Sequence, residues 1–303
     1  MILYHAKLNL NSHIFDVYNK KISLVDVMNN VERHFKEGIM YTKKVSRLNP
    51  ETNELIEVEE EYKLRDVFNI GKREIVGRIG RESLVYVNQE NSQKELIRKP
   101  IENIEVIDFY LDLDKEVVVF NTRVRFKFKQ FVEAFENILN LSQQKGKRFE
   151  FRVALITDHL DFNDIKAELS KIKKIKSLEI SIIPPNPDND LLDEFENDME
   201  DYLRELEVAN LTKQVMSFES ANSRGLNVDS EFLDRKIREA AVLHSKVSPE
   251  MAVNKGYVKI KAVNNKGRVF NTETKSLYTK EVSLSNNASI MDFAEVCKRE
   301  LIS

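Results

Sequence analysis

Between residues 104 and 183 the apolar positions switch repeatedly between a two-residue and a three-to-four-residue period, and few folds accommodate that order. Ile104–Leu111 and Val117–Phe120 read as strands around the turn Asp112-Leu113-Asp114-Lys115. Phe131, Phe135, Ile138, Leu139 and Leu141 then share one helical face, and Phe149–Thr157 returns to strand. Phe162, Ile165, Leu169 and Ile172 mark a second helix, and Leu178–Ile183 is a strand that Pro184-Pro185 must end. Strand, strand, helix, strand, helix, strand predicts a small α/β sandwich of ferredoxin-like or related topology.

The flanking segments differ in character. Residues 1–10 alternate apolar and polar side chains, which predicts a strand. Leu24, Val27, Met28, Val31 and Phe35 recur at helical spacing behind Ser23, an N-cap residue type. Ile39–Leu48 and Leu55–Leu64 flank Asn49-Pro50-Glu51-Thr52-Asn53 and predict a hairpin. Ile75–Ile79 and Leu84–Val87 predict two short strands, and the polar stretch 88–100 predicts a loop with a boundary at Lys99-Pro100. Beyond the proline-rich stop, residues 191–218 and Phe232–His244 predict helices. Gly256–Val263 and Arg268–Phe270 predict a hairpin about Asn264-Asn265-Lys266-Gly267, and Leu277–Leu284 a further strand. Ser289 predicts the cap of a C-terminal helix. The expectation is an α+β chain: a β-rich N-terminal module over 1–100, then an α/β module over 101–303 with an acidic helical segment inserted at about 188–250.

Bulk charge narrows the partners. The 303 residues carry 47 Lys and Arg against 50 Asp and Glu, a net charge of −3, so no whole-protein basic field exists and any nucleic-acid contact must come from a local patch. The single Cys297 forms no internal disulfide, and no apolar run approaches the roughly 20 residues of a membrane span. These features predict a cytoplasmic protein with no membrane contact.

Motifs for chemistry are sparse. No phosphate-cradling glycine loop, HExxH, paired CxxC or EF-hand loop is present, and no cofactor or metal is expected. His159, between Asp158 and Asp161, carries metal-ligating or acid–base residue types, but the same types suit a solvated strand-to-helix turn. A restriction-type nuclease needs an acid on one strand and acid-x-Lys on the next. Asp108 or Asp112 with Glu150-Phe151-Arg152 comes nearest, with Arg where a proton-yielding Lys belongs.

The sharpest local pattern is Arg123-Val124-Arg125-Phe126-Lys127-Phe128-Lys129. In an extended chain Arg123, Arg125, Lys127 and Lys129 share one face and could follow a phosphate backbone. Lys145, Lys147, Arg148 and Arg152 extend the patch, as do Lys171, Lys173, Lys174 and Lys176. The competing reading is an amphipathic edge strand whose cations deter edge pairing. The nucleic-acid-binding candidates are therefore Arg123, Arg125, Lys127, Lys129, Lys147, Arg148, Lys173 and Lys174. The opposite pole, 190–207, is acidic apart from Arg204 and would suit a protein partner or self-association, or simply a solvated helix face.

Two resemblances complete the reading. Ile75-Val76-Gly77-Arg78-Ile79-Gly80 resembles the GxxG loop of KH nucleic-acid-binding modules, which implies a backbone that approaches phosphates, although a β-turn or bulge accounts for the same glycines. The run Lys173-Lys174-Ile175-Lys176-Ser177-Leu178-Glu179-Ile180-Ser181-Ile182-Ile183-Pro184-Pro185-Asn186-Pro187-Asp188, followed by an acidic helix and a Gly256-Tyr257-Val258 strand, resembles uncharacterised bacterial proteins of mobile elements and phage-defence loci. That resemblance implies a part in defence against phage or in its control, and no catalytic residue. The expected function is a non-enzymatic, nucleic-acid-interacting component of an anti-phage (abortive-infection-type) system. The alternatives are an oligomeric sensor or interaction subunit and a metal-dependent nuclease.

Overall fold

A computed structural model describes residues 1–49, 53–90, 96–143, 148–158, 160, 162–186, 200–242, 253–285 and 287–301. In chain order the elements are β1 (Ile2–Leu10), α1 (Ile14–Tyr18), α2 (Leu24–His34), β2 (Met40–Leu48), β3 (Leu55–Gly71), β4 (Glu74–Glu90), β5 (Leu96–Asp112), β6 (Val117–Phe120), α3 (Phe128–Ser142), β7 (Phe151–Leu155), α4 (Phe162–Ser170) and β8 (Ile175–Ile182). There follow α5 (Glu200–Val208), β9 (Gln214–Glu219), α6 (Glu231–Val242), β10 (Val258–Asn264), β11 (Val269–Asn271), a 3₁₀ turn (Thr272–Thr274), β12 (Thr279–Glu281) and α7 (Ile290–Arg299). The chain is α+β. Among the described residues no helix is long and apolar enough to cross a membrane.

The elements gather into two compact units that alternate along the chain. Unit 1 holds Met1–Leu3, Met28–Arg148 and Lys280–Ser303, and unit 2 holds Tyr4–Val27 and Phe149–Thr279. The sequence boundary expected at residue 100 instead falls inside β5, where Pro100 stands opposite Tyr86 of β4. The missing proline N–H costs nothing there, because β6 pairs with β5 at Phe109–Asp112 and, among the described residues, no strand pairs with the outer edge at Pro100. The helix–strand alternation expected to form one sandwich is likewise shared out. β5, β6 and α3 belong to unit 1, whereas β7, α4 and β8 belong to unit 2.

Unit 1 is an antiparallel sheet in the order β6-β5-β4-β3-β2. The two short strands expected around Gly77 and Gly80 are one strand, β4, paired with β5 along its whole length. The glycines are strand interior, neither a turn nor a KH-like loop; the ladder with β3 does shift register between Arg65 and Phe68, opposite Gly77, as the bulge reading expects. A Cβ on Gly77 would lie 2.7 Å from Cζ of Phe109, so the ring takes the room that a side chain would need. The core is aromatic: Phe35, Phe109, Phe120, Phe126, Phe131 and Phe135 are all fully buried. Phe120 stacks on Phe131 with centroids 4.0 Å apart, and Phe109 meets Phe135 edge-on at 5.4 Å.

In unit 2, β1 pairs with β7 from Ala6↔Leu155 to Leu10↔Phe151. A second antiparallel sheet runs β11-β10-β8-β9. Ile165 and Leu169 of α4 and Leu233, Ile237 and Ala240 of α6 cover one of its faces, against Leu178, Ile180, Val258 and Ile260. The helix expected over 191–218 ends early. Asn210 is left-handed (φ 51°), and Leu211 N–H reaches back to Leu206 O at 2.8 Å, a helix stop that lets Gln214–Glu219 form β9. Residues 187–199 and 243–252 of the expected helical insert lie outside the described residues. Of the expected strand Leu277–Leu284, Thr279–Glu281 is strand. The hairpin turn closes at Gly267 (φ 74°), with Gly267 N–H bonded to Asn264 O.

Candidate functional site

The basic run 123–129 is not a strand. Residues 121–127 are irregular, and α3 starts at Phe128. The expected alternation fails at Val124, which is 81% exposed, while Phe126 is fully buried. One aromatic anchor wins over a strand pattern that, among the described residues, has no neighbouring strand to pair with. Phe126 sits 5.6 Å from the ring of Tyr62 and 6.3 Å from that of Phe131. Arg123 N–H closes the loop on Phe126 O at 3.0 Å.

At Arg125 the loop is fastened to the sheet through backbone atoms, which leaves the Arg125 side chain exposed. Arg125 N–H donates to Glu105 Oε1 at 3.1 Å, and Arg125 O accepts from Arg81 Nη1 at 2.5 Å. Arg81 Nη2 donates to Glu60 Oε1 at 2.6 Å, Tyr62 Oη donates to Glu60 Oε2 at 2.7 Å, and Arg47 also holds Glu60. Burial alone would raise the Glu60 carboxyl, but the bonds from Arg81, Tyr62 and Arg47 hold it below the usual carboxylate range. Lys127 opens α3, its N–H bonded to Gln130 Oε1 at 3.0 Å.

The sequence candidates separate on this frame. Arg123 is committed to the sheet, with Nε on Val106 O at 2.8 Å and Nη2 near Asp108 Oδ2 at 3.4 Å. Arg125, Lys127 and Lys129 are exposed. They crowd the start of a 15-residue helix whose first turn has no carboxylate. Cations are the unfavourable choice at that end, because the helix dipole already places partial positive charge there. Both the cations and the helix dipole make the potential at that end positive.

Of the remaining candidates, Arg148 belongs to the same unit and Lys173 and Lys174 belong to unit 2. Arg148 follows the C-terminal end of α3, a helix of about 22 Å at 1.5 Å per residue. Lys145 and Lys147 lie outside the described residues. Lys173 and Lys174 are exposed in the α4–β8 turn of unit 2, where their carbonyls accept from Asn264 Nδ2 and Asn265 N–H. Nearby Lys176 Nζ donates to Ser220 O and Asn222 O. Lys171 shares Glu168 with Lys275, both at 2.9 Å, and these two bonds hold the Glu168 carboxyl down to about 2.

The nuclease arrangement fares no better. Asp108 accepts from Arg78 Nε at 2.8 Å, and Asp112 Oδ1 accepts the N–H groups of Asp114 and Lys115 at 2.9 Å, which makes it a turn former. Among the described residues no group of three or more His, Cys, Asp and Glu could hold a metal ion. His159 and Asp161 are outside those residues, as are positions 190–199 of the acidic segment.

The support that the sequence pattern did not point to is the buried pair Glu60 and Arg81 with half-buried Glu105. A signal for it exists: Glu60 shares the inward two-residue register of Tyr62 and Leu64, a charged residue on an apolar face.

A family model for a domain of unknown function, DUF4747, matches residues 78–299. The chain belongs to the DUF4747 family. The DUF4747 match begins inside β4 and ends with α7. It therefore includes Arg81, Glu105 and the cationic loop, while Glu60 and the β2–β3 hairpin lie before it. No curated protein and no solved structure matches the chain.

Proposed function

We propose that this DUF4747 protein is a non-enzymatic, nucleic-acid-interacting component of a bacterial anti-phage system, and that the loop before α3 grips phosphates. The observation that supports the reading is the exposed trio Arg125, Lys127 and Lys129 at the start of a helix with no acidic residue in its first turn. Such contacts position a protein on a phosphate backbone without reading sequence. The defence role rests on the resemblance of residues 173–188 to proteins of phage-defence loci.

The test is filter binding of mixed-sequence DNA and RNA across a salt series, with the wild type and an Arg125→Glu, Lys127→Glu, Lys129→Glu variant. Each lost phosphate contact removes about 0.9 from the log–log salt slope on duplex DNA, so the triple variant should flatten it by roughly 2 to 3. Equal affinity and equal slope in the two proteins would remove the assignment. Phage plating on cells that carry each version then tests whether protection depends on the same three side chains.

A further inference from the structure

Within β9 the outer edge carries no lysine, proline or bulge, and the charges beside it, Lys213 and Glu219, stand at its two ends. Natural sheets guard their edges with lysines, prolines, bulges or very short strands. β2, at the edge of the unit 1 sheet, has Lys43, Lys44 and Arg47, and β11 has three residues. β9 is Gln-Val-Met-Ser-Phe-Glu, six residues in unbroken register with β8. Ser220 N–H bonds Lys176 O at 2.9 Å, which fixes the parity of the ladder. The even-numbered residues turn their backbone groups to β8. Lys213, Val215, Ser217 and Glu219 turn theirs outward, where no described residue pairs with them.

We propose that a second copy of this chain adds its own β9 to this edge, antiparallel, about a two-fold axis at Met216. Hydrogen-bond parity restricts self-pairing to registers that match outward residues with outward residues. The register centred on Met216 sets Lys213 opposite the partner's Glu219 and Val215 opposite the partner's Ser217, each twice by symmetry. Lys213 and Glu219 are exposed and make no ion pair within the chain among the described residues, so the two strand ends neutralise one another across the axis. The register centred on Ser217 sets Glu219 against Val215 and leaves both charges unmatched.

The side chains around the edge suit an apolar neighbour. Met216 and Phe218 pack on the core of unit 2 yet stay half-buried, because the core layer stops at β9. Phe232 of α6 meets Phe218 edge-on at 6.0 Å and is 52% exposed. A second β9 would continue the same layer over all three residues. An isologous contact of this kind closes on itself as a dimer.

Light scattering on the full chain as it elutes from a sizing column tests the proposal. The wild type should show twice the chain mass. Lys213→Glu alone and Glu219→Lys alone should each weaken the dimer at least about tenfold, and the double variant Lys213→Glu, Glu219→Lys should restore it. Met216→Cys should form a disulfide-linked dimer on oxidation, because a non-hydrogen-bonded antiparallel pair places its Cα atoms about 4.5 Å apart, within disulfide range. The wild type, whose Cys297 is buried, provides the uncrosslinked control. A monomer at all concentrations overturns the proposal. So does a dimer that the charge swaps leave unchanged and Met216→Cys fails to link. Neither result touches the phosphate-binding reading, which rests on unit 1.

Discussion

Arg81 and Glu60 form an ion pair within the sheet of unit 1, with Nη2–Oε1 at 2.6 Å, Nε–Oε2 at 3.2 Å and side chains 5% and 4% exposed. The same guanidinium donates to the carbonyl of Arg125. The pair therefore anchors the loop from which Arg125, Lys127 and Lys129 project. Glu60→Ala strands a buried cation and should cost about 3–5 kcal/mol in urea unfolding. Replacing both residues, Glu60→Leu with Arg81→Met, should recover part of that loss, since the buried Arg81 cation goes with its partner while Arg47 and the Tyr62 hydroxyl still lose theirs. A single variant within about 1 kcal/mol of wild type would mean that the pair is not closed off from water.

The pair also sets a direction for acid sensitivity. The folded-state Glu60 carboxyl lies below its ordinary value of 4.5, because the bonds from Arg81, Tyr62 and Arg47 outweigh burial. A depressed carboxyl contributes stability that is complete above the unfolded value and is lost as pH falls through the folded one. Wild type should thus exceed Glu60→Gln in unfolding free energy at neutral pH, and the gap should narrow below about pH 4.5. Parallel curves from pH 7 to pH 3 would show that Glu60 does not carry this dependence.

Gly77 offers a packing test. Its missing Cβ leaves room for the Phe109 ring, whose Cζ would otherwise stand 2.7 Å away. Gly77→Ala should destabilise by about 1–3 kcal/mol, the usual cost of forcing an extra carbon into a filled core. Adding Phe109→Leu should make the alanine less costly than it is in the wild-type background. A double-mutant cycle that closes with no coupling would place the ring elsewhere.

Much of the local structure was legible in the sequence, because local structure follows side-chain period. The Phe131, Phe135, Ile138 and Leu139 stripe is the buried face of α3, and Ser289 does cap α7 by accepting from Asp292 N–H. Two things were not legible. In Arg123–Lys129 a two-residue period suggested a strand, but a strand needs a partner, and the local pattern says nothing about one; burial of Phe126 and the backbone bonds to Glu105 and Arg81 set the chain's path. The two units were hidden for a related reason. β1 finds β7 across more than a hundred residues, a pairing that no local window can register. The candidate site was legible in its charges but not in its support, since the Glu60–Arg81 pair joins residues 21 apart in the chain.

Cys297 reports on how firmly α7 is held. It is fully buried where α7 packs against β4 and β5, and burial, then the negative charge of Asp108, push its thiol well above the usual range. Little thiolate forms at pH 8, and a reagent reaches the sulfur when the helix opens. Labelling by a chromogenic disulfide should be at least about a hundredfold slower in buffer than in urea, which corresponds to about 3 kcal/mol of opening free energy. The Ser289–Asp292 capping box and the Lys298–Glu74 bond at 2.8 Å hold the two ends of the helix. Removing a serine cap costs about 1 kcal/mol, so Ser289→Ala should raise the native labelling rate roughly fivefold while the rate in urea stays the same. Rapid labelling of the native wild type, or no change in Ser289→Ala, would mean that the thiol reacts without release of the α7 N-terminus.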